Sequence, residues 1–174
     1  AAESGSFVVS VSQPMGSDII TPLIFELREQ YPDLSISIRM EDDLIDVVQD
    51  GIDLAIRTGA TGDTAGISRK VAISETCLVA SPDYLAKHGT PLDPEALSRL
   101  NYIQYRNEKQ VSSLDLFRAG TRHMIPLHSE FVAGHPQVML QALLNSVGFT
   151  RMPVFMMRDL EKTGQLQRVL PDYQ

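Results

Sequence analysis

The first 56 residues switch repeatedly between strand and helix patterning, and that order restricts the fold more than any other feature of the chain. Phe7 to Val11 is almost continuously apolar and β-prone, as in a strand covered on both faces. Gln13-Pro14-Met15-Gly16-Ser17 breaks that strand. Ile19, Ile20, Leu23, Ile24 and Leu27 then recur at three-to-four spacing and place a helix. Pro22 is tolerated only in its first turns, and Pro32 ends it. Leu34, Ile36, Ile38 and Met40 alternate with polar residues, which predicts a second strand. Leu44, Ile45, Val47 and Val48 give the apolar face of a second helix stopped by Gly51. A short third strand runs from Asp53 to Ile56. The order β-α-β-α-β predicts parallel pairing with helices packed on the sheet.

Residues 60–69 read as a loop, and a strand at Ser74 to Ala80 opens the second half. Pro82 starts a short helix ended by Gly89, and Asp93 with Pro94 starts another, since aspartate caps free amides and proline suits the first turn. Tyr102 to Tyr105 reads as a strand, and Ile125 to Val132 as one or two more. Val138, Met139, Ala142, Leu143 and Val147 mark an amphipathic helix ended by Gly148, and Gly148 to Pro153 reads as a turn. A short helix over Phe155 to Lys162 and a strand over Leu166 to Leu170 complete the order.

Charge narrows the partners. A net charge of −7, with 15 Lys and Arg against 22 Asp and Glu, opposes a grip on a phosphate backbone by these residues. Cys77 is the single cysteine, which excludes an internal disulfide and points to a reducing compartment. No apolar run reaches the roughly 18 residues of a membrane helix, and AAESG at the start lacks the parts of a signal peptide, so a cytoplasmic location is expected.

Five segments, in this order and spacing, resemble the effector-binding domain of LysR-type transcriptional regulators: PLIFELREQYPDLSISI (Pro22 to Ile38), DGIDLAIRTG (Asp50 to Gly59), CLVASPDYLAKHGTP (Cys77 to Pro91), GFTRMPVF (Gly148 to Phe155) and GQLQRVLPDY (Gly164 to Tyr173). The match runs from Phe7 to Tyr173, nearly the whole chain. It implies a two-lobed α/β fold of the periplasmic-binding-protein-like (type 2) kind, each lobe a β-sheet flanked by helices, with an effector in the cleft. Residues 1–75 would form the first lobe and 76–174 the second. Family members carry an N-terminal winged helix-turn-helix. They also run on past the LPDY segment for a few dozen residues, with a strand and helix returning to the first lobe. The expectation is therefore a domain without its DNA-binding part and truncated at its carboxyl end, with the first lobe incomplete. Antiparallel dimers are implied too, and tetramers in the full-length protein. The helices around Asp18 to Glu29 and Val138 to Val147 are the candidate dimer contacts.

In open α/β sheets ligands bind at the carboxyl ends of the strands, so polar groups there are the first candidates. Gln13, Met15, Gly16 and Ser17 follow the first strand, where free amides at a helix start suit a carboxylate or phosphate; Ser17 could equally be a plain cap. Arg57, Thr58 and Gly59 follow the third strand, and Arg57 either meets an anionic ligand or pairs with a neighbouring acid. From the second half come Tyr105 and Arg106, His135, Arg151 and Met152. His135 is read first as a surface or capping group. Arg151 stands where the family usually has an apolar residue, and either reads an anionic effector or bridges the lobes. Met152, with Met156 and Met157, reads as core filler that could also line an adaptable pocket.

No G-x-S-x-G elbow, Walker loop or Rossmann fingerprint is present, and His123 and His128 do not have zinc-site spacing. Neither an enzyme nor a metal or cofactor site is expected. The chain reads as the effector-binding and oligomerisation domain of a regulator, taking a small anionic metabolite, with DNA contacted only through a separate segment. A transport-type solute-binding protein of the same fold is the alternative.

Overall fold

A computed structural model describes residues 5–42, 49–58, 67–105 and 112–174. The chain divides into two compact units, Ala1–Ile73 and Ser74–Gln174.

In the first unit, β1 (Gly5–Val11) leads into a three-residue helix α1 (Gln13–Met15), a π-helical segment (Gly16–Ile20) and α2 (Thr21–Gln30). Then come β2 (Leu34–Met40) and β3 (Leu54–Ile56). The sheet order is β2-β1-β3, and both pairings are parallel. The central strand is the one with the continuous apolar pattern, and Val9, Ser10 and Val11 are wholly buried. β2 at the edge keeps Leu34, Ile36 and Ile38 half-buried and turns Ser35, Ser37 and Arg39 outward, as its alternation requires. Helix starts at Gln13 rather than after Ser17, because Pro14 in the first turn has no amide to waste. The predicted helix face is only partly covered: Ile20 is buried, Ile19, Ile24 and Leu27 are half-buried, and Leu23 is 53% exposed; Phe25, off that face, is 60% exposed. A groove of about 520 Å³ lies between α2 and β2, lined by Ile24, Phe25, Leu34, Ile36 and Ile38 with Arg28 and Asp33 at its polar margin. The helix expected at Leu44 to Val48 falls outside the described residues, as does most of the expected loop after Gly59.

The second unit contains β4 (Thr76–Ala80), α3 (Pro82–His88), a 3-10 helix (Pro94–Arg99) and β5 (Asn101–Tyr105). It continues through β6 (Ser113–Arg118), β7 (Thr121–Pro126), β8 (His128–Ala133) and α4 (Pro136–Leu144), then β9 (Phe149–Pro153), α5 (Val154–Lys162) and β10 (Gln167–Val169). The main sheet has the order β10-β4-β9-β5-β8. Both helix starts expected near Ser81 and Asp93 are capped by those side chains, whose oxygens accept from the amides of Tyr84 and Ala96.

One prediction needs correcting, and one strand had no predicted counterpart. Gly148 to Pro153 is mostly a strand, not a turn: Phe149 and Met152 are buried on opposite faces, and the Thr150 hydroxyl donates to Ile103 O at 2.7 Å. Ser113 to Arg118 is also a strand, forming a hairpin with β7 across Ala119 and Gly120, whose φ angles are 48° and 80°. Two successive positive φ values match the twist of a tight hairpin.

One face of the main sheet packs Leu78, Tyr102 and Phe149 against Tyr84, Leu97 and hairpin residues Leu114, Leu116 and Ile125. The other packs Val79, Ile103 and Met152 against Met139 and Leu143 of α4 and Met157 of α5.

Candidate functional site

The carboxyl edge of the first sheet gathers buried polar groups that the protein itself does not fully use. β1 and β3 are in register at Val11 and Ile56, so Ser12 and Arg57 are the next facing pair, and Ser12 N donates to Ile56 O at 3.2 Å. Ser10 and Ser12 share a strand face by the two-residue repeat. Arg57 Nη2 donates to the hydroxyl of the wholly buried Ser10 at 2.7 Å. Three further atoms are buried there without a hydrogen-bond partner: Arg57 Nη1, Ser12 Oγ and Gln13 Oε1. A buried polar group left unpaired costs about 1–3 kcal/mol, so three orphans within two adjacent strand ends are a feature that needs an explanation.

Most of the backbone amides of this turn are engaged within the protein. Gln13 N already donates to Asp42 Oδ1 at 2.8 Å, Pro14 has no N–H, and the amides of Met15 and Gly16 both donate to Ser12 O at 3.1 Å. The protein's own Asp42 carboxylate is thus the partner of the Gln13 amide. Ser17 is exposed within the π-helical segment, away from a capping position. Met15 is half-buried, and Gly16 is packed against Met40, whose sulfur would lie 2.9 Å from an added Cβ. Thr58 is exposed, and Gly59 lies outside the described residues. Arg57 is the candidate from this edge with a buried, unspent donor; Ser12, Ser10 and Asp42 escaped the sequence reading. The available signal for the serines was their alternation with valine in VVSVS, which puts both hydroxyls on one side of a buried strand.

In the second unit β5 runs parallel to β8 with Tyr105 opposite Ala133, and parallel to β9 with Tyr102 opposite Phe149, so Tyr105, His135 and Met152 come near the same end of the sheet. Tyr105 ends β5, half-buried and engaged in interactions, and Arg106 lies outside the described residues. His135 caps α4, its Nδ1 accepting from Gln137 N at 3.1 Å. Arg151 sits in β9 opposite Leu78, on the sheet face that carries Phe149. Its charge reaches Asp115 of β6, whose carboxyl is held below the usual carboxylate range mainly by hydrogen bonds from Arg122, at 2.9 and 2.8 Å, with Arg151 a smaller influence. Met152 is 1% exposed and belongs to the α4–α5 core. Cys77 is half-buried in β4; burial pushes its thiol up, against a smaller opposing pull from Arg168, which keeps it protonated and a poor nucleophile.

His123 and His128 turn to different acids, Glu95 at 3.8 Å and Glu130 at 3.0 Å. Among the described residues no three His, Cys, Asp or Glu side chains are grouped to hold a metal ion, and no helix is long and apolar enough to cross a membrane.

The family described as LysR substrate binding domain matches residues 1–174. The probable HTH-type transcriptional regulator LtrA of Klebsiella pneumoniae is 27% identical over 170 residues, which cover 98% of this chain and 55% of that protein. The full-length structure of the Vibrio cholerae virulence activator AphB, a member of the LTTR protein family, is similar with a TM-score of 0.86 and 26% identity, covering 99% of this chain and 58% of that one. The regulatory domain of AphB in Vibrio vulnificus is similar at a TM-score of 0.81 and 26% identity, over 98% of this chain and 85% of that one. The chain therefore spans about half the length of curated relatives such as the 55% of LtrA.

Proposed function

The chain belongs to the LysR substrate-binding domain family, and from that premise we propose that it binds a small carboxylate effector at the β1–β3 edge of its first unit. The observation that carries this reading is the buried, unpartnered Nη1 of Arg57 beside the equally unpartnered hydroxyl of Ser12. A guanidinium is a cationic, planar donor suited to carboxylate oxygens. With a net charge of −7, attraction to an anion must be local, from Arg57 and Ser12 rather than from the whole molecule's field. Relatives named as HTH-type regulators suggest that the complete protein controls transcription through a separate DNA-contacting segment. Effector binding would shift that protein between states only by differing in affinity for them. The transport alternative loses ground because the curated relatives are regulators.

A charge-assisted hydrogen bond contributes about 1.5–3 kcal/mol, so Arg57→Ala is expected to weaken carboxylate binding roughly tenfold to a hundredfold. Thermal-shift screening of anionic, neutral and cationic metabolites, followed by titration of the hits on both proteins, measures this. Neutral or cationic hits, or anions held equally by Arg57→Ala, would reject the reading.

Self-association is the second part of the proposal. On α2, Leu23 and Phe25 are exposed, and Phe25 lines a mixed polar and apolar groove against β2 together with Ile24, Arg28, Asp33, Leu34 and Ile36. Such a patch favours coverage by another protein surface. A second copy, meeting it with the α4 face that exposes Val138, fits an antiparallel dimer. Sedimentation is expected to give a dimer for the unmodified chain and a monomer for Phe25→Glu. A monomer for both at high protein concentration would count against the contact.

A further inference from the structure

We infer that the outer edge of β2 joins two copies of this chain, strand to strand and antiparallel, about a two-fold axis at Ile36. The contact is separate from the one proposed for the outward face of α2, and it rests neither on that one nor on the effector reading. β2 ends the sheet order β2-β1-β3, and among the described residues no strand pairs with its other side. One hydrogen bond tells which backbone groups lie on that side. Glu41 N donates to Val11 O of β1 at 3.0 Å, so by strand alternation the amides and carbonyls of Ser35, Ser37 and Arg39 also face β1. Those of Ile36 and Ile38 face away from it. Exposed edges are commonly blunted by proline or lysine, but Leu34–Met40 has neither, and its one charge is Arg39 near the end.

A second copy is the occupant because this strand is complementary to itself. Asp33-Leu34-Ser35-Ile36-Ser37-Ile38-Arg39 reads alike from both ends about Ile36, except that it has an acid at one end and a base at the other. With the axis at Ile36, the two Ile36 residues exchange both backbone hydrogen bonds, and Ile38 stands opposite Leu34 of the other copy. Ile38 N then donates to Leu34 O, while the Leu34 amide is already spent on Tyr31 O at 3.1 Å. The same axis sets Asp33 opposite Arg39 at both ends, and both side chains are exposed. Neighbouring registers lose this match. An axis at Ser37 sets Asp33 against Glu41, one at Ser35 sets Ile38 against Pro32, which has no amide, and one at Ile38 sets Leu34 against Asp42. Opposite charges directly across two strands stabilise the pair and like charges destabilise it, so the Ile36 register is preferred. Leu34, Ile36 and Ile38, which line the groove beside α2, would meet their copies on one face and extend its apolar wall across the axis.

The test combines sedimentation over a concentration series with amide hydrogen exchange. The unmodified chain is expected to gain mass with concentration, while exchange at the Ile36 and Ile38 amides slows about tenfold. The Ser37 amide, which faces β1, is expected to keep its rate. Arg39→Asp or Asp33→Arg alone sets like charges face to face and is expected to weaken this association about tenfold. The two substitutions together reverse both ends and are expected to restore it. Equal exchange at Ile36 and Ile38 at every concentration overturns the contact. Protection there that all the charge variants leave unchanged shows a different strand on this edge and overturns the self-pairing. Weakening by the single variants without recovery in the double overturns the register. The α2 contact is read separately through Phe25→Glu, so either contact can fail alone.

Discussion

Replacing Gly148 with alanine is expected to cost the second unit more than about 4 kcal/mol, a loss comparable to the whole stability of many domains. An added Cβ would collide with the carbonyl oxygen of Asn101 and lie 3.1 Å from its carbon. Both atoms are backbone, so no side-chain rotation relieves the contact. Asn101 is itself held from several directions: its amide donates to Tyr84 Oη, its Nδ2 to Val147 O, and its Oδ1 accepts from Glu130 N, at 2.9, 2.9 and 2.8 Å. Moving β5 away would therefore break a junction between α3, β8 and the segment leading into β9. Thermal unfolding followed by circular dichroism, with hydrogen exchange over residues 74–174, measures the loss. A melting midpoint within a few degrees of the unmodified protein would show that this backbone yields.

Met152→Ala is the second large effect, expected to destabilise by about 2–5 kcal/mol. The side chain lies against Val79, Ile103, Leu143 and Met157 in a core with no access to solvent. For a unit of about a hundred residues each kcal/mol is worth about 4–8 °C, so the midpoint should fall by about 10 °C or more. Carboxylate affinity measured well below the transition should be unaffected. The reverse pattern, an unchanged midpoint with weakened binding, would return Met152 to the ligand site.

The parallel first sheet was legible because its strands and helices carry different apolar periods, and β1 announces its central position by an almost continuous apolar run broken only by Ser10 from Phe7 on. What stayed hidden has physical causes. β6 shows two buried leucines, Leu114 and Leu116, in proper alternation, but its turn begins with Ala119, a residue that does not advertise a positive φ. β9 contains Arg151 and ends in Pro153, two residues that argue against a central strand. Arg151 is tolerated because its side chain stays exposed on the sheet face near Asp115, and Pro153 because it closes the strand. At the candidate site the position of Arg57 followed from sheet topology alone. The occupation of Gln13 N by Asp42 did not, because their contact spans 29 residues and depends on where β2 ends.

The hydrogen bond from Arg57 to Ser10 bears on the entropy of recognition. An arginine side chain carries about 2 kcal/mol of rotamer freedom, and a free one must surrender it when a ligand arrives. Here one terminal nitrogen is fastened to a serine at the bottom of the sheet, so the chain loses that freedom as it folds. On the proposed reading, an anion that reaches the buried Nη1 finds the guanidinium already anchored through its other terminal nitrogen. At the proposed site, binding would then carry less of the entropic cost of ordering an arginine.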